Sequence, residues 1–319
     1  MAENIKISVA LAACNGARYS AEQLQSLLEQ SLTPDEIIIT DDSMDDLTYG
    51  AILPFLSCGK IRYLKNPTPL GVAKNFEKAI SLARGEVIFL CDQDDFWLPE
   101  KIATLYHTLQ TNPDIDGVFC NSTLVNSDLE PCGGTLWNLR QFSAAMQKQL
   151  NSACALKVFL KRVTCSSHNI AFKRRALEYL LPFPELAPFY PDTFIALSIA
   201  ANSRWRAIAQ ELTLYRLHGS NESSPAGGGL TSARRARANH AALRNALLAE
   251  EIIARTPDKL PSATRSTLQK FAEFHHRRDT YSSNIAVRTL QVLNQMLKLN
   301  YYNFAGNLRT IIADIIIST

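Results

Sequence analysis

The segment Val87–Trp97 reads VIFLCDQDDFW, in which five apolar residues are followed at once by three carboxylates in four positions. An earlier segment, Glu36–Ser43, has the same design, because the strand-length run EIIIT precedes Asp41, Asp42 and Ser43. Runs that are apolar throughout are typical of strands in a parallel sheet covered on both faces. Ligands of such sheets bind beyond the carboxyl ends of the strands. We therefore expect the two acidic clusters to meet at one edge of a single sheet.

Strand and helix periodicities alternate on either side of these two segments. The predicted strands are Ile5–Leu11, Glu36–Thr40, Ile61–Lys65, Val87–Cys91, Gly117–Val125, Val163–Phe172 and Thr213–Leu217. The predicted helices are Ser20–Gln30, Val72–Ala83, Pro99–Gln110, Lys173–Leu181 and Thr193–Ala201. This alternation predicts an α/β fold with a mostly parallel, Rossmann-like sheet flanked by helices.

The clearest linker is Ser223–Gly229, SSPAGGG, and beyond it the composition shifts to Ala, Arg and Leu in helix-forming patterns. We therefore expect an α/β domain at residues 1–225 and a helical C-terminal region at residues 226–319.

The bulk composition is that of an ordinary globular protein, with 319 residues, 46% hydrophobic and 20% charged. The net charge of +3, from 33 basic and 30 acidic residues, gives no argument for a nucleic-acid partner. Seven cysteines without a CxxC pair favour reduced thiols in a cytosol. The sequence shows neither a secretory signal pattern at Met1–Lys6 nor an apolar run of membrane-spanning length. We expect a cytoplasmic protein that binds no nucleic acid.

Three carboxylates in the Asp92–Asp95 turn repel one another unless a cation is present. Oxygen ligands of this kind suit Mg²⁺ or Mn²⁺, often together with substrate phosphates. An acidic loop that stabilises the next helix dipole explains the same residues without a ligand. The doublet Asp41-Asp42 also occurs in receiver domains, but such a domain would leave the second half of this chain unexplained.

Several short motifs follow one another in an order that carries a family resemblance. They are Ala13-Cys14-Asn15-Gly16; Asp41-Asp42-Ser43 with Asp46; Gly71–Phe76 (GVAKNF); DQDDFW with Lys101; Pro191-Asp192; and Tyr215–His218 (YRLH) with Asn221. In this set the sequence, over roughly residues 5 to 222, resembles family 2 glycosyltransferases of the GT-A fold, with the pattern of bacterial rhamnosyltransferase-like members.

The resemblance implies inverting transfer of a sugar from a nucleoside-diphosphate donor to an acceptor hydroxyl, with Mg²⁺ or Mn²⁺ as cofactor. Asp94 would hold the metal ion, with Asp92 facing the ribose or the metal, and His218 would bind the metal or the diphosphate. The donor-binding residues that it implies are Ala13, Asn15, Asp41, Asp42, Lys74, Asp92 and Gln93. Lys74 also has the simpler interpretation of a surface lysine on a helix.

Asp192 matches the position of the family's general base, which would take the proton of the acceptor hydroxyl. The alternative is that Asp192 caps the apolar helix that follows it.

The sequence departs from the family pattern at Ser43-Met44, at Pro191 and at Cys165–Asn169, which lacks an expected glycine. These departures leave the sugar and the acceptor open. The resemblance suggests a deoxythymidine-diphosphate deoxy sugar such as rhamnose, and a saccharide or lipid-linked acceptor in surface polysaccharide synthesis. Two other functions stay open: a sugar nucleotidyltransferase, and an inactive nucleotide-sugar-binding module.

The C-terminal region combines basic clusters, such as His275–Arg278, with aromatic residues and the apolar run Ile311–Ile317. One interpretation is peripheral contact with anionic lipid at the inner face of the membrane. The other is packing against the catalytic domain or a homodimer contact, and we favour it.

Overall fold

A computed structural model of the chain describes residues 5–186, 191–218, 232–281 and 284–304, together with residues 311, 314 and 315. Its core is one sheet of nine strands. The strands are β1 Ile7–Ala13, β2 Glu36–Asp41, β3 Ile61–Lys65, β4 Val87–Asp92, β5 Phe96–Trp97, β6 Gly117–Val125, β7 Pro131–Thr135, β8 Ile170–Lys173 and β9 Trp205–Arg216.

The strand order is β3-β2-β1-β4-β8-β6-β9-β5, and β7 pairs with β6. Strands β1 to β4 are parallel, and β6 and β9 run in the same direction because β8 lies antiparallel between β4 and β6. Strands β5, β7 and β8 run in the opposite direction. The carboxyl ends of β1, β2, β4, β6 and β9 therefore lie at one edge, which we call the carboxyl edge.

Helices cover both faces of this sheet. They are α1 Ser20–Leu28, α2 Leu47–Ile52, α3 Val72–Leu82, α4 Lys101–Thr111, α5 Leu136–Leu139, α6 Ala144–Gln149, α7 Ala155–Lys161, α8 Leu177–Leu180, α9 Pro191–Asn202, α10 Ser232–Arg255, α11 Ser262–Asp279, α12 Ile285–Leu297 and α13 Asn300–Phe304. This arrangement confirms the predicted α/β fold with a mostly parallel sheet and C-terminal helices.

The apolar strands divide their side chains between two cores. In β4, Ile88 and Leu90 join the core on one face of the sheet, whereas Phe89 and Cys91 join the core on the other. Successive residues of a strand point to opposite faces, so a strand buried on both sides must be apolar at every position. This explains why VIFLC shows no alternation of polar and apolar residues.

The C-terminal helices continue the first of these cores. Leu248 in α10 and Phe271 in α11 belong to the same buried cluster as Phe194 of α9 and Ile88 of the sheet. The predicted boundary near residue 225, the linker 223–229 and Asn221 all lie outside the described residues. The division into two domains therefore remains a prediction.

Most predicted strands agree with the structure to within two residues, but two differ more. Of the predicted strand Val163–Phe172, only Ile170–Phe172 lies in the sheet, as part of β8. The preceding Ser166 and Asn169 bond to each other's backbone N–H groups and close a short 3₁₀ turn. Strand β9 begins at Trp205 rather than at Thr213, because the exposed polar residues Gln210 and Glu211 in its middle hide the strand pattern.

Among the helices in the described ranges, none combines the length and hydropathy that a membrane crossing requires.

Candidate active site

The acidic turn between β4 and β5 lies at the carboxyl edge, where a buried arginine holds it in place. The side chain of Arg216, at the end of β9, is only 1% exposed. Its backbone N–H donates to Asp95 Oδ1 at 3.0 Å, and its Nε donates to the Asp94 carbonyl at 2.8 Å. Its guanidinium lies 4.4 Å from the centre of the Tyr19 ring and also pairs with Glu22. Arg216 therefore brings a compensating positive charge to the turn, a role that the sequence analysis did not assign.

Asp94 and His218, the two predicted metal ligands, are brought together by this arrangement. His218 Nε2 lies 2.9 Å from Asp94 Oδ2, although the two residues are 124 positions apart. The imidazole also stacks on the Tyr19 ring at 5.2 Å between ring centres. Both side chains are partly exposed, so a ligand in solvent can reach them.

A second group of potential metal ligands lies on the buried side of the same turn. Asp92, Asp95 and His168 each offer a ligand atom, and these atoms lie within 4.8 Å of one another. Asp95 Oδ2 and His168 Nδ1 are buried, have no hydrogen-bond partner and are 3.6 Å apart. His168 Nδ1 also lies 3.8 Å from Asp92 Oδ2. Unpartnered buried polar atoms are costly, so a proton or a cation between these atoms would stabilise the group.

Burial controls the protonation of these groups. It raises the pKa of the Asp95 carboxyl well above its usual range, and the carboxylates of Asp94 and Asp92 add to that shift. It lowers the pKa of the His168 imidazole well below its usual range, so the ring is neutral. Carboxylate oxygens and a neutral imidazole nitrogen are a donor set that suits Mg²⁺ or Mn²⁺. The residues of this turn therefore fit the metal that the resemblance implies.

Lys101 supplies a buried positive charge beneath the turn. Its side chain is fully buried, with Nζ 3.4 Å from the centre of the Trp97 ring, and it donates to the His168 carbonyl oxygen. Burial lowers the pKa of Lys101 to about 8. This lysine occupies the interior side of the group, so a metal ion is better accommodated on the open side, near Asp94 and His218.

Neither Asp95 nor His168 was among the predicted ligands. Asp95 lies in the acidic turn that the analysis singled out, and His168 lies in the segment Cys165–Asn169 that departs from the family pattern. The sequence signal for His168 was that its segment, Cys165–Asn169, departs from the family pattern.

The predicted donor-binding residues of β1 and β2 lie at the same edge, but their side chains are engaged by the protein. Asp41 accepts hydrogen bonds from Ser43 and, at 2.7 Å, from the Tyr63 hydroxyl. Burial, together with this bond to Asp41, raises the pKa of Tyr63 above its usual range. Asp42 accepts from Asn66 and from the backbone N–H groups of residues 70 and 71 at the start of α3. Both carboxylates shape the rim of the site, and direct donor contacts by them stay a prediction.

Gln93 joins the acidic turn to the loop after β1. Its side-chain oxygen accepts from the Cys14 N–H, and its side-chain nitrogen donates to the Cys14 carbonyl, both at 2.8 Å. The next residue, Asn15, has a left-handed backbone with φ of 52° and donates its N–H to Ser43 Oγ. The carbonyl of Ala13 accepts from Asn75 and Asp42. This loop is therefore rigidly held at the carboxyl edge.

Gly16→Ala is expected to disrupt the hydrogen bonds between Gln93 and the loop after β1. It should lower the free energy of unfolding by about 1–3 kcal/mol, the usual cost of overpacking. A Cβ at position 16 would lie 2.0 Å from Gln93 Oε1 and 2.7 Å from Ser20 Oγ. Gly50→Ala is the matched control, because a Cβ there meets nothing within 4 Å. Urea denaturation of both variants measures the effect. Equal stability of the Gly16 variant and the unmodified chain would contradict the tight packing.

Lys74 does not point into the acidic turn. Its Nζ lies 3.3 Å from the Phe183 carbonyl and 2.7 Å from Glu77, and the side chain is 40% exposed. The structure thus gives Lys74 the contacts of a surface lysine on α3, and its contact with a diphosphate stays a prediction.

Asp192 lies in a cleft next to the acidic turn. The cleft has a volume of about 220 Å³, and its lining residues are Asp92, Arg140, Val163, Ser166, Ser167, His168, Pro191, Asp192, Thr193 and Tyr215. Because α9 begins at Pro191, Asp192 is the second residue of the helix rather than the residue before it. Burial raises the pKa of the Asp192 carboxyl, and the positive charge of Arg140 opposes that shift. A carboxylate in a cleft with a raised pKa has the properties of a general base.

Arg140 also lines this cleft, and its side chain is held in place by two hydrogen bonds. Its guanidinium donates to the Cys165 carbonyl at 2.6 Å and to Ser166 Oγ at 2.5 Å. These two bonds hold the segment that leads to His168. Arg140 was not among the predicted site residues because no motif in the sequence connects it with Asp192.

A larger concavity of about 670 Å³ lies at the opposite, amino edge of the sheet, lined by residues that include Glu86, Lys173 and Arg175. None of the predicted site residues lines it.

The sequence profile described as Glycosyl transferase family 2 matches residues 8–181, which is more than half of the chain. An uncharacterized glycosyltransferase of Nostoc sp. is 26% identical over 222 residues, covering 68% of this chain and 66% of that protein. The Escherichia coli protein WfaP, named as a UDP-Glc:alpha-D-GlcNAc-diphosphoundecaprenol beta-1,3-glucosyltransferase, is 32% identical over 34% of this chain and 42% of its own length. The chain thus spans less than two thirds of the length of these relatives.

Solved structures show the same fold. S. aureus TarS in complex with UDP-GlcNAc superposes with a TM-score of 0.65 and 17% identity, covering 96% of this chain and 90% of that one. A mannosyltransferase of Pyrobaculum calidifontis in complex with GDP-Man and Mn²⁺ has a TM-score of 0.54 and 17% identity, covering 98% and 86%. The profile match over residues 8–181, more than half of the chain, shows that the chain belongs to glycosyl transferase family 2.

Proposed function

We propose that this chain is an inverting, metal-dependent glycosyltransferase that moves a sugar from a nucleoside diphosphate to a hydroxyl of a saccharide or lipid-linked acceptor. One observation carries the proposal. The cleft that contains Asp192 also contains Asp92 of the acidic turn, and Asp94 of the same turn contacts His218. A base for the acceptor and a cation site for the donor are thus adjacent, as a direct displacement requires.

In the proposed reaction, Asp192 accepts the proton of the acceptor hydroxyl while that oxygen forms a bond to the anomeric carbon of the donor. The bond between the anomeric carbon and the diphosphate breaks, and its electron pair leaves with the nucleoside diphosphate. Asp94 and His218 would hold Mg²⁺ or Mn²⁺, which neutralises the charge that develops on the leaving diphosphate. Arg140, Tyr215 and His168 form the walls that limit water around Asp192.

The named substrates of similar proteins support the donor class. TarS has been solved with UDP-GlcNAc, and the archaeal mannosyltransferase with GDP-Man and Mn²⁺. WfaP is named for a diphosphoundecaprenol-linked acceptor. For this chain we propose a nucleoside-diphosphate hexose or deoxyhexose, rhamnose among them, and a lipid-linked or growing surface polysaccharide as acceptor.

We further propose that residues 1–225 form the catalytic GT-A domain, with residues 226–319 as a helical extension, and that the enzyme works in the cytoplasm. Six cysteines are free thiols, which favours a reducing compartment: Cys58, Cys91, Cys120, Cys132, Cys154 and Cys165.

A thermal-shift panel of UDP-, GDP- and dTDP-sugars, each with and without Mn²⁺, tests the function. We expect one donor to raise the melting temperature in a metal-dependent way. Each donor is then incubated with the protein alone to measure slow release of the nucleoside diphosphate. If no donor in the panel stabilises the folded protein and none is hydrolysed, the proposal of a transferase is wrong.

A further inference from the structure

Helix α12 presents its apolar residues to solvent instead of to the core. Its buried residues are Arg288, Val292 and Gln295, two of them polar. Leu290 and Leu293, in contrast, are 67% and 46% exposed. A helix on a protein surface ordinarily buries its apolar stripe and exposes its polar one. The reversed arrangement in α12 therefore leaves an apolar outer face that none of the described residues covers.

The exposed leucines form one continuous stripe. Leu290, Leu293 and Leu297 follow three- and four-residue spacing, which places them on the same side of a helix. Leu297 is 86% exposed. Further exposed apolar or aromatic side chains flank the stripe, namely Ile285, Val287, Met296, Leu299 and Tyr302. We call these eight residues the α12 face. A contiguous apolar surface of this kind marks an interaction site.

The segment of sequence that contains the α12 face has basic residues and no carboxylate. From Thr280 to Ala313 the chain has neither Asp nor Glu. Lys298 follows the last residue of α12, and Lys161 of α7 places its Nζ 4.5 Å from the centre of the Tyr302 ring. Lys157, one turn earlier on α7, is exposed. Arg288, the buried cation, donates inward to the Ile315 carbonyl.

We propose that the α12 face docks onto a membrane surface that contains anionic lipid. Exposed leucines with lysines at their margin, and a tyrosine between the two, are the composition of helices that lie in a lipid interface. Each lysine near such a surface adds attraction to anionic headgroups. A second copy of this face would offer these lysines no carboxylate from the segment Thr280 to Ala313, which disfavours a dimer through this face. The proposal does not depend on the transfer reaction.

Co-sedimentation of the full chain with vesicles tests the proposal. We expect the protein to sediment with vesicles of phosphatidylcholine and phosphatidylglycerol, and more weakly with phosphatidylcholine alone. Leu290→Gln with Leu293→Gln should weaken binding by at least about tenfold, because each leucine loses apolar burial. The matched control is Leu47→Gln with Leu53→Gln, at leucines that are 67% and 50% exposed on the sheet domain. The control should bind as the unmodified chain does.

A charge variant, Lys161→Gln with Lys298→Gln, should weaken binding to the anionic vesicles by about tenfold or more and leave binding to neutral vesicles unchanged. Circular dichroism establishes that each variant is folded. The proposal is overturned if the folded chain sediments with neither type of vesicle, or if the leucine variant binds as well as the control. It is also overturned if sedimentation velocity shows a dimer that the leucine variant alone dissociates, since a second copy then covers the face.

Discussion

Asp192→Asn is expected to reduce the rate of sugar transfer by about 10²–10⁴-fold, the range that general-base catalysis contributes. The asparagine side chain has nearly the same shape, but it cannot accept the proton of an acceptor hydroxyl. Its effect on stability should stay within about 1 kcal/mol, because the substitution loses the attraction of the carboxylate to Arg140 and to the first turn of α9 but also removes the cost of burying a charge. Transfer to a defined acceptor, measured together with the melting temperature, separates the two contributions.

Glu178→Gln is the matched control for this substitution. Glu178 also lies in the first turn of a helix, α8, but it lines the concavity at the amino edge of the sheet and pairs with Lys259. Its variant should transfer sugar at the normal rate. If Asp192→Asn retains transfer at the rate of this control, Asp192 has only a structural role in α9.

The pH dependence of transfer gives an independent test of the same assignment. A base must be ionised, so activity rises with pH through the pKa of Asp192, which burial raises and the charge of Arg140 lowers. Arg140→Gln should therefore move the acid limb of kcat/KM to higher pH, and Arg140→Lys should move it less. The other titratable groups that line the cleft, Asp92, His168 and Tyr215, are the same in both variants. If the acid limb lies at the same pH in both variants as in the unmodified chain, the charge of Arg140 does not act on the Asp192 carboxyl.

The sheet was predictable because its signal is local. VIFLC is apolar at every position, and the centre of EIIIT, Ile37–Ile39, is apolar too, because each strand is covered on both faces. A run of three to five such residues is therefore enough to identify a buried strand of a parallel sheet. Strand direction then places Asp41 and Asp92 at one edge without any knowledge of side-chain contacts. The short strand β8 was overestimated because a capping interaction within Ser166–Asn169 replaces sheet pairing there.

The contacts that complete the site were not predictable, because they join residues far apart in the chain. Arg216 binds the acidic turn across more than 120 positions, and Lys101 reaches the His168 carbonyl across 67. Nothing in the sequence distinguishes a buried arginine at a strand end from an exposed one. Motif order singled out Asp94, His218 and Asp192 as candidates, whereas the contacts of Arg216, Lys101 and Arg140 depend on packing that only the folded chain shows.

Asp94→Asn is expected to weaken metal-dependent binding of a nucleoside diphosphate by at least about 10–100-fold, since even indirect partners of a metal site contribute that much. The amide keeps a contact with His218, now 2.9 Å from the carboxylate, but it loses the charge that attracts a cation. Calorimetric titration with UDP, GDP and dTDP, with and without Mn²⁺, measures this loss. The matched control is Asp114→Asn, which removes a carboxylate 2.8 Å from Arg204 at the amino edge and should leave binding unchanged.

Combining substitutions decides which of the two groups of ligands holds the ion. If Asp94 and His218 bind one ion together, Asp94→Asn with His218→Gln should lose little more metal-dependent affinity than the weaker-binding single variant, because partners in one site are not additive. His168→Gln should then leave the dependence on Mn²⁺ intact, since His168 lies on the buried side of the turn beside Lys101. The reverse result, with His168→Gln abolishing the effect of Mn²⁺ and Asp94→Asn preserving it, would place the cation at Asp92, Asp95 and His168. The buried charge of Lys101 argues against that outcome, because a divalent ion there would have to share the interior with an ammonium group.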